Sequence, residues 1–258
     1  MGTGAITGYI DVAQVTLYVF WFFFAGLIFY LRREDKREGY PLVSERSEHI
    51  LVQGFPSMPK PKTFLLRNGH TYQAPPGHVD ERELKAVPAE PWPGAPLKPT
   101  GNPMIDGIGA ASYALREDVP ELTAEDENRT VPLRVATDFA VAAQDETPIG
   151  MPVYGADGIK AGVVSEIWID RSEPMIRYLE TEVATAAGPR TVLVPMNFCR
   201  IKKARGEVHV AAILASQFAD VPALASPDQI TAREEDKITG YFGGGTIYAT
   251  PERAEPIV

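Results

Sequence analysis

The sequence predicts an α+β membrane protein: one N-terminal transmembrane helix, then a cytoplasmic domain built on a small antiparallel β-barrel and followed by a C-terminal helix. Three observations predict it. Residues 12–31, VAQVTLYVFWFFFAGLIFYL, contain no charged side chain. From Ile149 onward, short β-rich runs alternate with turn residues. Ser226-Pro-Asp-Gln229 then carries the signature of a helix start.

The uncharged stretch spans about 30 Å as a helix, the hydrocarbon thickness of a bilayer. Twelve of its 20 residues are Val, Ile, Leu or Phe, which favours insertion by about 4–7 kcal/mol. A cleaved signal peptide would need a basic region ahead of it, and nothing basic precedes Arg32. Arg32, Arg33, Lys36, Arg37 and Arg46 all follow the stretch. The excess of positive charge on that side places segment 1–11 outside the cytoplasm and the rest of the chain inside it. Tyr9 and Tyr30, with Arg32 and Arg33, are the candidate membrane-interface residues, because amphipathic rings and basic side chains are favoured at headgroup level.

Prolines separate the next region from what surrounds it. None lies in residues 1–40, 12 fall between Pro41 and Pro103, and 11 are spread over the remainder. Each proline lacks a backbone donor and restricts the residue before it, so Phe55-Pro-Ser-Met-Pro-Lys-Pro-Lys62 cannot lie inside a helix or a central strand. Phe55, Phe64, Leu65, Leu66, Tyr72 and Trp92 supply apolar anchors that a free linker does not need. Residues 32–103 therefore read as a basic juxtamembrane segment and an extended Pro-rich arm laid over a partner surface.

Residues 104–258 form the β-barrel domain. Weak helical character around Ile108 to Arg116 and the acidic loop Glu125-Asp-Glu127 come first. The strand signals follow: MPVYG, AGVVSEIWID, MIRYLETEV, TVLVP, FCRIKK and EVHVAAI, separated by Ala156-Asp-Gly158, RSEP, Gly188-Pro189 and Arg205-Gly206. Period-2 alternation puts Val163, Ser165, Ile167 and Ile169 on one face, with Val164, Glu166, Trp168 and Asp170 on the other. The last helix is expected over about 227–239, capped by Ser226 and Gln229 and ending at Gly240; Gly243-Gly-Gly245 reads as a helix stop or bend.

Composition excludes several functions. Residues 1–38 carry as many acidic as basic side chains, so the whole net charge of −9 belongs to residues 39–258. Such a domain is repelled by phosphate backbones, and nucleic acid is not an expected partner. The single Cys199 excludes an internal disulfide, a zinc ribbon and an Fe–S cluster. Gly107-Ile-Gly-Ala-Ala-Ser112 lacks the strand before it and the third glycine of a dinucleotide fingerprint. His49, His70, His78 and His209 show no metal-ligand spacing. No nucleophile elbow is present, so an autonomous active site is not expected.

The informative group is Asp170, Arg171, Glu173, Arg177, Glu180 and Glu182, six ionisable side chains across one strand–turn–strand. Two readings stay open: a solvated hairpin rim, or a relay in which burial raises and an arginine lowers carboxyl pKa values until they exchange protons near neutral pH.

Several motifs in one order resemble the H subunit of purple-bacterial photosynthetic reaction centres: the N-terminal anchor, Arg37-Glu-Gly-Tyr-Pro-Leu42, Pro59-Lys-Pro-Lys-Thr-Phe64, Pro99-Thr-Gly-Asn-Pro103, Ile167-Trp-Ile-Asp170 with Glu173 and Arg177-Tyr-Leu-Glu180, and Glu234-Glu-Asp-Lys-Ile238. The resemblance covers nearly the whole chain. It implies a PRC-type barrel in a non-catalytic subunit of the bacterial inner, intracytoplasmic membrane, with its N-terminus periplasmic. That subunit caps the L and M subunits and stabilises their quinone sites. It binds no cofactor directly; bacteriochlorophyll, bacteriopheophytin, quinones and non-haem iron sit in the partner subunits. Membrane lipid is a further implied partner, and a cytochrome subunit and antenna complexes are left open. The resemblance also assigns Glu173 as a buried proton carrier to the secondary quinone, with Arg177 its electrostatic partner and Asp170 a second carrier. Some members have surface histidines where protons enter. This chain has Glu125-Asp-Glu-Asn128 there, which makes Asp126 the candidate collecting group, although carboxylates titrate lower than imidazole. The alternative is a membrane-tethered β-barrel adaptor unrelated to photosynthesis.

Overall fold

The structure, a computed structural model, describes residues 4–44, 47–67, 69–77 and 80–254, without the side chains of 43–51. His78 and the side chain of His49 lie outside the described residues. The chain divides into two compact units, Met1–Glu83 with Pro91–Gly94, and Leu84–Glu90 with Ala95–Val258. The strands around Val87 and Lys98, within the expected 32–103 segment, pair with each other and belong to the second unit.

In the first unit, helix α1 runs Val12–Glu34, three residues beyond the uncharged stretch. Asp11 caps it by accepting from the Gln14 backbone N–H at 2.7 Å. No residue of α1 is buried within the chain, as suits a helix whose apolar side chains face lipid. A short 3-10 turn, Asp35–Arg37, follows.

The Pro-rich region is not one continuous extended arm. It folds into two hairpins in the first unit, β1 (Leu42–Ser44) with β2 (Ser47–Val52) and β3 (Lys62–Leu65) with β4 (Thr71–Ala74). A third, β5 (Ala86–Pro88) with β6 (Leu97–Pro99), belongs to the second unit. Prolines lie between these strands or at their ends, where a missing N–H costs no ladder bond. Arg37 ties the first unit together, donating to Glu34 and to the carbonyls of Lys60 and Ala74.

The second unit starts with α2 (Pro103–Asp106), capped by Asn102, and a 3-10 turn at Gly109–Ala111. Helical structure therefore precedes the expected Ile108–Arg116, because Asn102-Pro103 is itself a cap with proline at the first helical position. A seven-stranded sheet follows: β7 (Thr130–Pro132), β8 (Pro152–Tyr154), β9 (Lys160–Asp170), β10 (Met175–Thr185), β11 (Gly188–Pro195), β12 (Cys199–Lys202) and β13 (Glu207–Val210). The order is β11-β10-β9-β8-β13-β12, with β7 paired to the end of β9. All pairings are antiparallel except β13 with β8. The result is a curled half-barrel, in keeping with the expected small β-barrel, with one parallel pair in an otherwise antiparallel sheet.

Two bulges bend the long β9–β10 pair. Ser165 and Arg177 are each unmatched in the register between Glu180/Thr181 and Ile176/Tyr178. The expected two-faced alternation of β9 ends at Ser165, and Ile167, Trp168, Ile169 and Asp170 are all buried. The core gathers Trp168, Leu179, Leu193, Ile213, Phe218, Ile238 and Phe242.

Helix α3 runs Ala232–Tyr248, not 227–239. Its capping box is Thr231 with Glu234: the Glu234 N–H donates to Thr231 Oγ1 at 3.2 Å, and the Thr231 N–H to Glu234 Oε2 at 2.8 Å. Gly243-Gly-Gly245 is helix interior rather than a stop. Gly243 and Gly244 let α3 lie against the Gly109–Ala111 turn, since a Cβ at Gly244 would fall 2.5 Å from Ala111 Cβ, while Gly245 lies against Ala212 and Ile213. Glycine's helix penalty, about 1 kcal/mol, is offset by that close approach.

Candidate functional site

The tip of the β9–β10 hairpin is built around Asp170, whose side chain is fully buried. Its Oδ1 accepts from the backbone N–H groups of Ser172 and Glu173 at 2.8 and 3.0 Å, closing the turn. Its Oδ2 accepts from Arg129 Nε at 2.8 Å, and Nη2 of the same guanidinium lies 2.8 Å away as an ion-pair contact. Arg129 arrives there because β7 pairs Thr130 opposite Asp170. Burial pushes the Asp170 pKa up, but the Arg129 hydrogen bond, the two backbone donors and the Arg129 charge prevail and hold it below the usual carboxylate value.

Glu173 stands on the turn with its side chain 69% exposed, 4.0 Å from Arg129 Nη2. Within this chain it is not buried, and its neighbours Ser172 and Pro174 are exposed as well. The cation beside it is Arg129 rather than the expected Arg177. As the bulged residue of β10, Arg177 makes no ion pair within 4.0 Å among the described residues; its charge acts on Glu235 and Tyr178.

The six-member group therefore separates. Asp170 and Glu173 gather at Arg129, while Arg171 pairs with Glu127 at 3.2 Å. Glu180 accepts from Trp168 Nε1 at 2.8 Å and pairs with Arg134 at 3.1 Å; Arg134 also holds Asp228 at 3.0 Å. Glu182 is exposed. Arg129 in turn lies 3.3 Å from Glu121, which also pairs with Arg116, and Arg116 reaches Asp236 at 3.4 Å. Alternating charges thus run from the α3 N-terminus to the hairpin tip.

Asp126 is exposed in the acidic loop, in a left-handed backbone conformation with φ 66°. At the membrane-proximal ends of α1, Tyr9 and Tyr30 are exposed, Arg32 lies 3.8 Å from Asp35, and Arg33 is exposed.

Sequence reasoning missed Glu235. It is 8% exposed, and its Oε1 has no hydrogen-bond partner among the described residues. Burial raises its pKa and Glu121 adds to the rise; Arg177 and the hydroxyls of Thr130 and Tyr178 oppose it. A signal existed: three acidic residues open α3, and the capping box requires only Glu234. Cys199 is also shielded, its thiol pushed up to about 12 by burial. Among the described residues, no cluster of three or more His, Cys, Asp or Glu side chains could hold a metal ion.

The half-barrel corresponds to a known module: the family model for the PRC-barrel domain matches residues 142–214. A second model, for the photosynthetic reaction centre H-chain N-terminal region, matches residues 4–135. The chain belongs to the reaction-centre H-chain family. This family is a structural subunit that associates with other reaction-centre subunits, and the apolar α1 fits a membrane-anchored protein. The adaptor alternative offers no account of the match over residues 4–135.

Proposed function

We propose that this chain caps the L and M subunits of a photosynthetic reaction centre on the cytoplasmic side of the intracytoplasmic membrane, shields their quinone sites and carries protons towards the secondary quinone. The basic residues Arg32, Arg33, Lys36 and Arg37 after α1 support the orientation, with the N-terminus periplasmic. Bacteriochlorophyll, bacteriopheophytin, quinones and iron belong to the partner subunits in this reading. The observation that carries it is the Asp170–Arg129 pair, which fixes a turn that presents Glu173 outward beside a guanidinium. Glu173 then becomes enclosed by the partner subunits, and its carboxyl passes protons inward. Asp170, expected as a second carrier, is held ionised by Arg129 and serves instead as the electrostatic support of the turn, and Asp126 collects protons at the surface.

The test is the second, proton-coupled electron transfer to the quinone in assembled complexes carrying Glu173→Gln. The expected result is a rate slowed at neutral pH with the first electron transfer retained. An unchanged second transfer overturns the carrier role.

A further inference from the structure

The loop that carries Phe55 lies beside α1, and its construction is unusual for a water-exposed turn. The Phe55 ring is 5.8 Å from the Phe29 ring of α1, yet Phe55 is 84% exposed. Phe29 belongs to the uncharged stretch, more than one helical turn before the end of α1 at Glu34. The ring therefore stands alongside apolar helix surface, at a depth above the basic flank.

The backbone on either side of Phe55 is neutralised from below. Lys36 is 2% exposed, and its Nζ donates to the carbonyls of Gln53 and Pro56, both at 2.5 Å. Its ammonium also lies 5.2 Å from the centre of the Tyr40 ring. No carboxylate pairs with Lys36 within 4.0 Å among the described residues, so its charge is spent on backbone oxygens. Backbone carbonyls brought to a lipid phase must be satisfied internally, since no water is there to accept from. A lysine that caps the carbonyls of Gln53 and Pro56, which bracket Gly54-Phe55, meets that requirement for these two groups.

We infer that Phe55 inserts into the lipid beside α1, at the boundary between headgroups and acyl chains, as a second membrane contact held in place by Lys36. The occupant of the exposed ring face is lipid, because the surface is continuous with the apolar side chains of α1. This rests on α1 spanning the membrane, and the test separates the two.

Spin labels are placed one at a time at Phe55→Cys, Phe23→Cys on α1 and Lys160→Cys in the second unit, in a Cys199→Ala background. The full chain is reconstituted into phosphatidylcholine–phosphatidylglycerol vesicles. Collision rates with oxygen, which concentrates in lipid, and with a neutral nickel chelate, which stays in water, are read by power saturation. The expected result is several-fold greater accessibility to oxygen than to nickel at 55 and 23, with the reverse at 160. A second expectation is that Lys36→Met lowers the oxygen-to-nickel ratio at 55 at least twofold and leaves that at 23 unchanged. Nickel exceeding oxygen at 55 while 23 keeps its lipid signature overturns insertion, as does low accessibility to both, which would mean protein covers the ring. Loss of the lipid signature at 23 overturns the spanning reading of α1 and the insertion with it. An unchanged ratio in Lys36→Met overturns the role of the lysine.

Discussion

Arg129 and Asp170 are joined by a hydrogen bond of 2.8 Å from Nε and an ion-pair contact of 2.8 Å from Nη2, at a carboxylate with no solvent exposure. One residue precedes β7 and the other ends β9, so the pair locks the hairpin tip to the sheet edge. That tip is the part of the molecule on which the proposed proton route depends.

Removing the carboxylate leaves a guanidinium whose main partner is gone and two turn N–H groups without an acceptor. Asp170→Ala is expected to destabilise the chain by about 2–4 kcal/mol, the lower side of the range for breaking a buried pair because Arg129 is partly exposed. The pH dependence follows from the depressed pKa. The stabilisation from Asp170 is fully present above the unfolded carboxyl value of about 3.9 and is lost as pH falls through the lower folded value. Urea denaturation of wild type and Asp170→Asn in detergent should give a constant difference from pH 5 to 8 that shrinks below pH 4. A difference that instead grows in acid contradicts the pairing.

Glu235 behaves in the opposite sense. Its folded pKa is raised, so its favourable contribution holds below the ordinary value of 4.5 and is lost as pH rises through the folded value, when a poorly solvated anion must form. Glu235→Gln removes that cost. The variant should match wild type near pH 4 and become relatively more stable at higher pH, with the difference growing by at most about 1.4 kcal/mol per pH unit. Denaturation curves at pH 4, 6 and 8 suffice, and a pH-independent difference refutes the assignment.

Gly244 tests the packing of α3. Gly244 is helical rather than left-handed, so alanine carries no backbone penalty there, and in an exposed helix it would add up to about 1 kcal/mol of stability. A Cβ there falls 2.5 Å from Ala111 Cβ and 3.1 Å from Ala111 Cα, where the backbone cannot yield cheaply. Gly244→Ala is expected to lower stability by about 1–3 kcal/mol, read as a fall in thermal midpoint.

Much of the fold was legible from local pattern. The uncharged run at 12–31 and the six strands from β8 to β13 follow from hydrophobic period and turn residues, which act over a few positions. The limits of α3 differ because two S/T-x-x-E/Q patterns compete, at Ser226 and Thr231, and tertiary contacts of the second, Thr231 Oγ1 to Asp118 and the Ala232 N–H to the Val119 carbonyl, hold the helix start there. The bulges at Ser165 and Arg177 left no local mark, yet Arg177 is the unmatched residue of β10, and its charge acts on Glu235 rather than Glu173.

By itself the sequence determined the anchor, the strand-rich module, the acidic character of the second unit and the motif series that identifies the H-chain family. Those properties depend on composition and short-range order. The tertiary structure alone decided which charges meet. Arg129 and Asp170 are 41 residues apart, as are Arg253 and the Ala212 carbonyl it holds, and Glu235 is buried beside Tyr178 on another element. Electrostatic coupling falls off over a few ångströms of space, and chain separation carries no information about that distance until the sheet has closed.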